Sequence, residues 1–206
     1  IARRQRQMCI RDSTRPTLAA SNLKDFVAGA KANPGKLSYG SAGNGTTPHL
    51  AGELLKQSAG ITATHVPYKG AAPAIQDVMG GQVDFAFAPG TVLPMVKAGK
   101  LKVLAVASRK RTASAPEVPT FSELGINDVY ADTLFGIYAP AGMPPEVVDR
   151  MNREVNKVLA LPATKARFLE LGAEPHPLRP GEYKAMVQAE KRLFTDIVKT
   201  RGITAD

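Results

Sequence analysis

From Ser21 onward, short apolar runs alternate with helical patterns across glycine-rich links, and this alternation restricts the fold more than any other feature. Leu23, Phe26, Val27 and Ala30 share one helical face behind Ser21, a candidate N-cap, and Asn33-Pro34-Gly35 stops that helix. Residues 37–39 predict a strand, followed by the glycine-rich stretch 40–45. A helix then starts near Thr47, with Pro48 at its first position and Leu50, Ala51, Leu54 and Leu55 as its stripe, and Gly60 closes it. The pattern repeats as a strand over 62–66, a helix over 71–79, a strand over 83–88, a short helix over 93–98 and a strand over 101–107. Links this short between strands and helices predict an α/β layer with a mainly parallel sheet.

After Arg109 the texture changes. Pro116 and Pro119 punctuate a loop, 121–124 holds at most a short helix, and 133–139 predicts an apolar strand ended by Pro140-Ala141-Gly142. Two helices follow, one with Val147, Val148, Met151, Val155, Val158 and Leu159 on a face, the other with Tyr183, Met186, Val187, Leu193, Phe194, Ile197 and Val198, ended by Gly202. Residues 162–171 form a shorter helix between them. A crossover near 130–140 thus divides an α/β part from a helical tail.

Composition excludes several classes. With 44% hydrophobic and 22% charged residues, the chain matches neither a disordered segment nor a disulfide scaffold. The longest uncharged stretches are broken by Gly, Ser, Thr and Pro, far from the ~20 apolar residues of a membrane span. The net charge of +9 is unevenly spread: residues 1–13 hold four Arg, one Asp and the sole cysteine, Cys9, without helical or strand periodicity. RRQRQMCIRDS resembles a translated sequencing adapter; its rival is a basic arm for an anionic surface. Residues 1–13 are therefore read as non-native and set aside from the fold.

The segment 37–55 carries the most chemistry. Gly40, Gly43 and Gly45 allow backbone conformations that turn amides into one cavity, and the following helix start adds its dipole, so the loop suits an anion. Ser41, Thr46 and Thr47 add hydroxyl donors. The alternative is an ordinary turn with Thr47 capping the helix. A Walker A loop fails because Thr46, not Lys, follows Gly45, and a nucleophile elbow fails because Tyr39 precedes Ser41 by two. His49, His65 and His176 have no metal-ligand spacing, and neither metal nor cofactor is called for. Ser41, His49 and Asp84 contain the residue types of a triad, which only geometry could establish. At 66–74 a strand end, a turn and a helix start recur: Tyr68 offers a flat wall with a hydroxyl tip, and Lys69 a positive charge or merely a solvated side chain. The third loop, Ala88-Pro89-Gly90-Thr91, has no ionisable group.

Together KLSYGSAGNGTTPHLAGELL, HVPYKGAAPAIQDVMGGQVDFAF, KAGKLKVLAVAS, VPTFSELG and GIYAPAGMPPEVVDRMN resemble the Bug/TctC family of extracytoplasmic solute receptors, in consistent order over 14–206. The resemblance implies an α/β, periplasmic-binding-protein-like (type II) two-lobed fold, with residues 14–131 as a complete second lobe and 132–206 as the hinge return and helical part of the other, partial lobe. It implies a periplasmic, non-enzymatic, monomeric receptor for a small carboxylate, with the membrane subunits of a tripartite tricarboxylate transporter as partners and no nucleic acid. Ser41, Ala42, Gly43, Gly45, Thr46 and Thr47, with His49, correspond to the carboxylate-cradling loop, and Tyr68, Lys69 and Gly70 to the loop beside it. The family's signal peptide and first-lobe opening do not precede Thr14, so a fragment is expected. The effector domain of a transcription regulator is the rival reading, and an enzyme acting on a bound acid the third.

Overall fold

The computed structural model describes residues 6–8, 11–14, 20 and 22–204. Its centre is a five-stranded sheet in the order β4 (Ala63–Pro67), β3 (Leu37–Ser41), β5 (Phe85–Ala88), β2 (Arg11–Thr14), β6 (Lys102–Val106). β3 runs parallel to β4 and β5, while β2 is antiparallel to both β5 and β6. Four strands therefore point one way, as the alternation predicts, and one opposes them. A second sheet joins β1 (Arg6–Met8), β7 (Thr133–Phe135) and β8 (Ala173–Glu174), with β1 in the middle and all pairs antiparallel.

β1 and β2 fall within or overlap residues 1–13, the segment set aside above. Ladder hydrogen bonds join backbone groups, so a strand can be held between two neighbours without an apolar alternation of its own. The strand expected over 133–139 contracts to Thr133–Phe135, and β8 has no sequence signal because two residues carry no period. The expected cap Ser21 lies outside the described residues; Asn22 caps α1 (Leu23–Ala32), accepting from the Asp25 amide at 2.9 Å.

The sheet is covered on both faces. β5 reads Phe-Ala-Phe-Ala and is buried throughout, and its parity divides the core. Phe85 and Phe87 join Tyr39, Phe26 and Leu55 under α1 and α2 (Thr47–Ala59). Ala86 and Ala88 join Ile75, Val78 and Val83 under α3 (Ala71–Met79). Phe26 meets Phe85 edge to face at 5.1 Å, and each ring fully buried here stabilises by roughly 1.5–3 kcal/mol. α4 (Leu93–Lys97) leads into β6.

The tail packs on this body through α7 and through the segment 172–174, where Gly172 lies against Gly90 and Glu174 accepts from the Ala113 amide at 2.6 Å. α5 (Pro145–Ala160) and α6 (Pro162–Glu170) bury only Leu159 and Phe168, while Val147, Met151 and Val158 of α5 remain exposed. Two apolar concavities of about 520 and 670 Å³ lie along this part of the tail. α7 (Pro180–Arg201) packs Ile197 and Leu193 against Leu50 and Leu54 of α2, and ends at Gly202 with φ +61°. Among the described residues, no helix is long and apolar enough to cross a membrane.

Gly52 sits in α2 where a Cβ would overlap the buried Tyr39 ring. Gly52→Ala is therefore expected to lower stability by about 1–3 kcal/mol despite alanine's better helix propensity, read as a lower urea midpoint at unchanged slope.

Candidate functional site

Parallel pairing brings three loops to one edge. Ser41 at the end of β3 lies beside Pro67 at the end of β4, and β5 ends on the other side of β3. The loops 42–46, 68–70 and 88–91 leave from that edge, where open α/β sheets bind ligands. The first two touch: the Tyr68 amide donates to the Ser41 carbonyl at 3.1 Å, and a Cβ on Gly43 would lie 3.4 Å from the Tyr68 carbonyl. Gly43 takes φ +127° and Gly70 φ +115°, conformations that favour glycine.

The first loop is braced from within. Buried Ser41 accepts from the Gly43 amide at 3.1 Å, and Thr46 Oγ1 donates to the Gly43 carbonyl at 2.7 Å. The Gly45 amide donates to Nδ1 of His49 at 3.1 Å. Two of the amides expected to face a ligand are thus engaged inside the loop. The donors this arrangement offers outward are at the helix starts. α2 begins after Thr46 and α3 after Gly70, and neither start carries a side-chain capping bond. Two helix dipoles and their first-turn amides therefore begin at adjacent, touching loops, an arrangement that favours negative charge. Thr46 and Thr47 are half-buried beside this point, and Lys69 is exposed.

Tyr68 lies against Gly40, but its hydroxyl donates to Asp77 Oδ2 at 2.6 Å. Burial, with the hydrogen bond and charge of Asp77, pushes that phenol up to about 12. Tyr68 thus contributes its ring and its backbone to the edge, while its hydroxyl tip is turned to α3.

The triad types do not assemble into a relay. Asp84 Oδ2 accepts from the amide and the hydroxyl of Ser38, at 2.9 and 3.2 Å. The imidazole on Ser41 belongs to His65, whose Nε2 is 2.6 Å from Oγ. His65 stacks on His49 with ring centroids 3.8 Å apart and planes within 10°. His65 was not among the residues picked from sequence. The sequence signal for it is a polar residue in the predicted strand 62–66, two positions before Pro67 and so on the same face; its pairing with Tyr39 shows only in the structure.

With this geometry in view, comparisons with known proteins are decisive. A sequence profile for the tripartite tricarboxylate transporter family receptor, TctC, matches residues 10–203. The chain belongs to this receptor family. BugT of Bordetella pertussis is 32% identical over 191 residues, which make up 92% of this chain and 58% of that protein. A UPF0065 protein of Cupriavidus necator is 37% identical over 181 residues, covering 88% and 55% respectively. The chain thus spans little more than half the length of these curated relatives. Among solved structures, an R. palustris protein with adipate superposes with TM-score 0.85 at 31% identity, covering 99% of this chain and 68% of that one. MatC from Rhodopseudomonas palustris, with bound malate, gives TM-score 0.77 at 27% identity, covering 94% and 67%. The fold is therefore the α/β periplasmic-binding-protein fold of the TctC receptors, of which this chain covers about 68%.

In this TctC-family chain, α2 is held behind the loop by a charged brace. Glu53 is 6% exposed; it accepts from the Tyr39 hydroxyl at 2.8 Å and Lys56 Nζ at 2.6 Å, with Arg201 of α7 at 3.6 Å. Glu53, Lys56 and Arg201 line a concavity of about 420 Å³ with His49 and Asn44. Burial raises the Glu53 carboxyl, but the bonds from Lys56 and Tyr39 and the charges of Lys56 and Arg201 outweigh it and hold it below its usual range. Burial, more than the adjacent carboxylate, raises the Tyr39 phenol. A depressed carboxyl stabilises the fold above its unfolded value of about 4.3 and loses that contribution as pH falls through the folded value. Glu53→Gln should therefore cost about 1–3 kcal/mol at pH 7. The gap to wild type in denaturant melts should start to shrink below about pH 4.3, where the unfolded carboxyl protonates, and close as pH falls through the lower folded value.

Proposed function

We propose that this chain is the carboxylate-binding part of an extracytoplasmic solute receptor, which captures a small di- or tricarboxylate, acidic amino acid or aromatic acid and delivers it to the membrane subunits of a tripartite tricarboxylate transporter. Residues 14–131 form the lobe that holds the carboxylate, and 132–206 the hinge return with the helical part of the other lobe. The observation that carries this reading is the pair of helix starts, at Thr47 and Ala71, that lack side-chain caps and leave from touching loops. Fixed dipoles and amides of this kind suit a carboxylate that must be bound and released unchanged. Thr47 supplies a hydroxyl donor, Thr46 holds the loop through its bond to the Gly43 carbonyl, Tyr68 forms a wall, and Lys69 adds a favourable charge at the rim.

The family relationship and the adipate and malate bound by two structural neighbours support a carboxylate, and the neighbours' description as periplasmic supports that compartment. The triad types Ser41, His49 and Asp84 have no relay geometry, since the imidazole on Ser41 belongs to His65 and Asp84 accepts from Ser38.

A thermal-shift panel of adipate, malate and citrate tests the reading directly. A carboxylate present at 100 times its Kd adds about 2.7 kcal/mol to stability, and neutral diols of the same length should add nothing. Thr46→Asp puts a like charge where the carboxylate sits. Affinity for whichever acid binds should fall at least roughly 10- to 100-fold, the equivalent of one lost charged hydrogen bond. Thr46→Ser, which keeps the hydroxyl, should stay close to wild type by calorimetry. Unchanged affinity in a folded Thr46→Asp protein would contradict the assignment.

A further inference from the structure

We propose that His49 and His65 are positioning residues that set the shape of loop 42–46 as a stacked pair, His49 as a neutral acceptor for the Gly45 amide and His65 through the Ser41 hydroxyl. The proposal rests on the reading of that loop as the carboxylate site.

The geometry assigns the His49 proton. The Gly45 N–H can donate to Nδ1 of His49 at 3.1 Å only if that nitrogen carries a lone pair, so the His49 proton sits on Nε2 and the ring is neutral. Ser41 Oγ accepts from the Gly43 amide, and its own single proton can go to the Gly43 carbonyl at 3.1 Å or to His65 Nε2 at 2.6 Å. Either tautomer of His65 keeps the 2.6 Å bond between its Nε2 and Ser41 Oγ, as acceptor or as donor. One ring thus holds the end of the loop at Gly45, and the other holds its start at Ser41.

The stack makes the two roles interdependent. With centroids 3.8 Å apart and planes within 10°, the rings fix each other's orientation, and a proton on one disfavours a proton on the other. His65 can accept a proton and keep its bond to Ser41 as a donor. His49 cannot, because a protonated Nδ1 would face the Gly45 N–H donor to donor. Groups around the pair include Tyr39 of β3, 4.9 Å from the His65 ring and 6.4 Å from that of His49, and Glu53, Lys56 and Arg201, which line the concavity shared with His49. The loop should therefore keep its shape at neutral pH, survive the first imidazole titration, and loosen when His49 takes its proton.

Nuclear magnetic resonance on the full chain without ligand tests this, so that its outcome does not depend on which acid is bound. Imidazole 15N shifts at pH 7.5 should report His49 with an unprotonated, hydrogen-bonded Nδ1. On acidification the His65 ring should titrate first, with the Gly45 amide moving only in the later step that belongs to His49. Replacing His65 by Gln, whose amide reaches the Nε2 position, should move the His49 step to higher pH. His49→Asn, which offers an oxygen near the Nδ1 position, should hold the Gly45 amide in place and abolish its pH response, whereas His49→Ala should release it. Adipate and malate titrations run in parallel should show His49→Ala weakened about tenfold, the worth of one lost hydrogen bond, with much of this restored in His49→Asn. A protonated His49 Nδ1 at pH 7.5, or a Gly45 amide indifferent to His49 titration, would overturn the proposal while leaving the carboxylate reading intact. The expected proton behaviour with no carboxylate bound at any pH would instead sink that reading and leave the histidine assignment standing.

Discussion

Ser41 and Pro67 end neighbouring parallel strands side by side, and the functional edge depends on that pairing. Because β3 and β4 point the same way and finish level, the loops that follow them start together and the helices that follow the loops begin close by. An antiparallel pair would have sent the two helix starts to opposite edges. The Tyr68 amide bound to the Ser41 carbonyl extends the pairing one residue beyond the strands, into the loops themselves.

That edge needs a rigid support, because a dipole acts strongly only within the first turn of its helix. α2 has support on each side. Tyr39 fills the space over Gly52 and donates to Glu53, so the strand that leads into the loop is bonded to the helix that leads out of it. On the other side, Ile197 and Leu193 of α7 clamp Leu50 and Leu54, and Arg201 approaches Glu53. The tail helix thereby braces the site from behind α2, and its end at Arg201 lines a concavity with Asn44 of the loop. The apolar concavities beside α5 are larger than the charged one beside α2. They lie away from the loops, though, and their walls of Met, Val and Tyr side chains suit apolar packing better than a charged acid.

The local parts of this arrangement were legible in the sequence. The helix 71–79 matches Ala71–Met79, Pro48 stands in the first turn of α2, and Gly60 and Gly202 end their helices in the left-handed region. Each follows from periodicity or from a backbone demand that one residue type meets. What escaped was non-local. β2 sits between β5 and β6 without an apolar period, since its place comes from neighbours distant in sequence. His65 reaches Ser41 across 24 positions, and Tyr68 turns its hydroxyl to Asp77 rather than outward. The glycines of the loop were correctly read as special, but composition could not reveal that the Gly43 and Gly45 amides would be spent on Ser41 and His49. The donor role passes to helix starts whose lack of side-chain caps is visible only in three dimensions.

The central claim is that a carboxylate is held across the starts of α2 and α3. Amide chemical-shift mapping during titration with adipate or malate tests it most directly, because each first-turn N–H reports on its own hydrogen bond. The account predicts that the largest shifts fall on Thr47, Gly70 and Ala71, from both loops in the same titration. Shifts confined to Met151, Val155 and Tyr183 along the apolar groove, with the two helix starts unmoved, would contradict it.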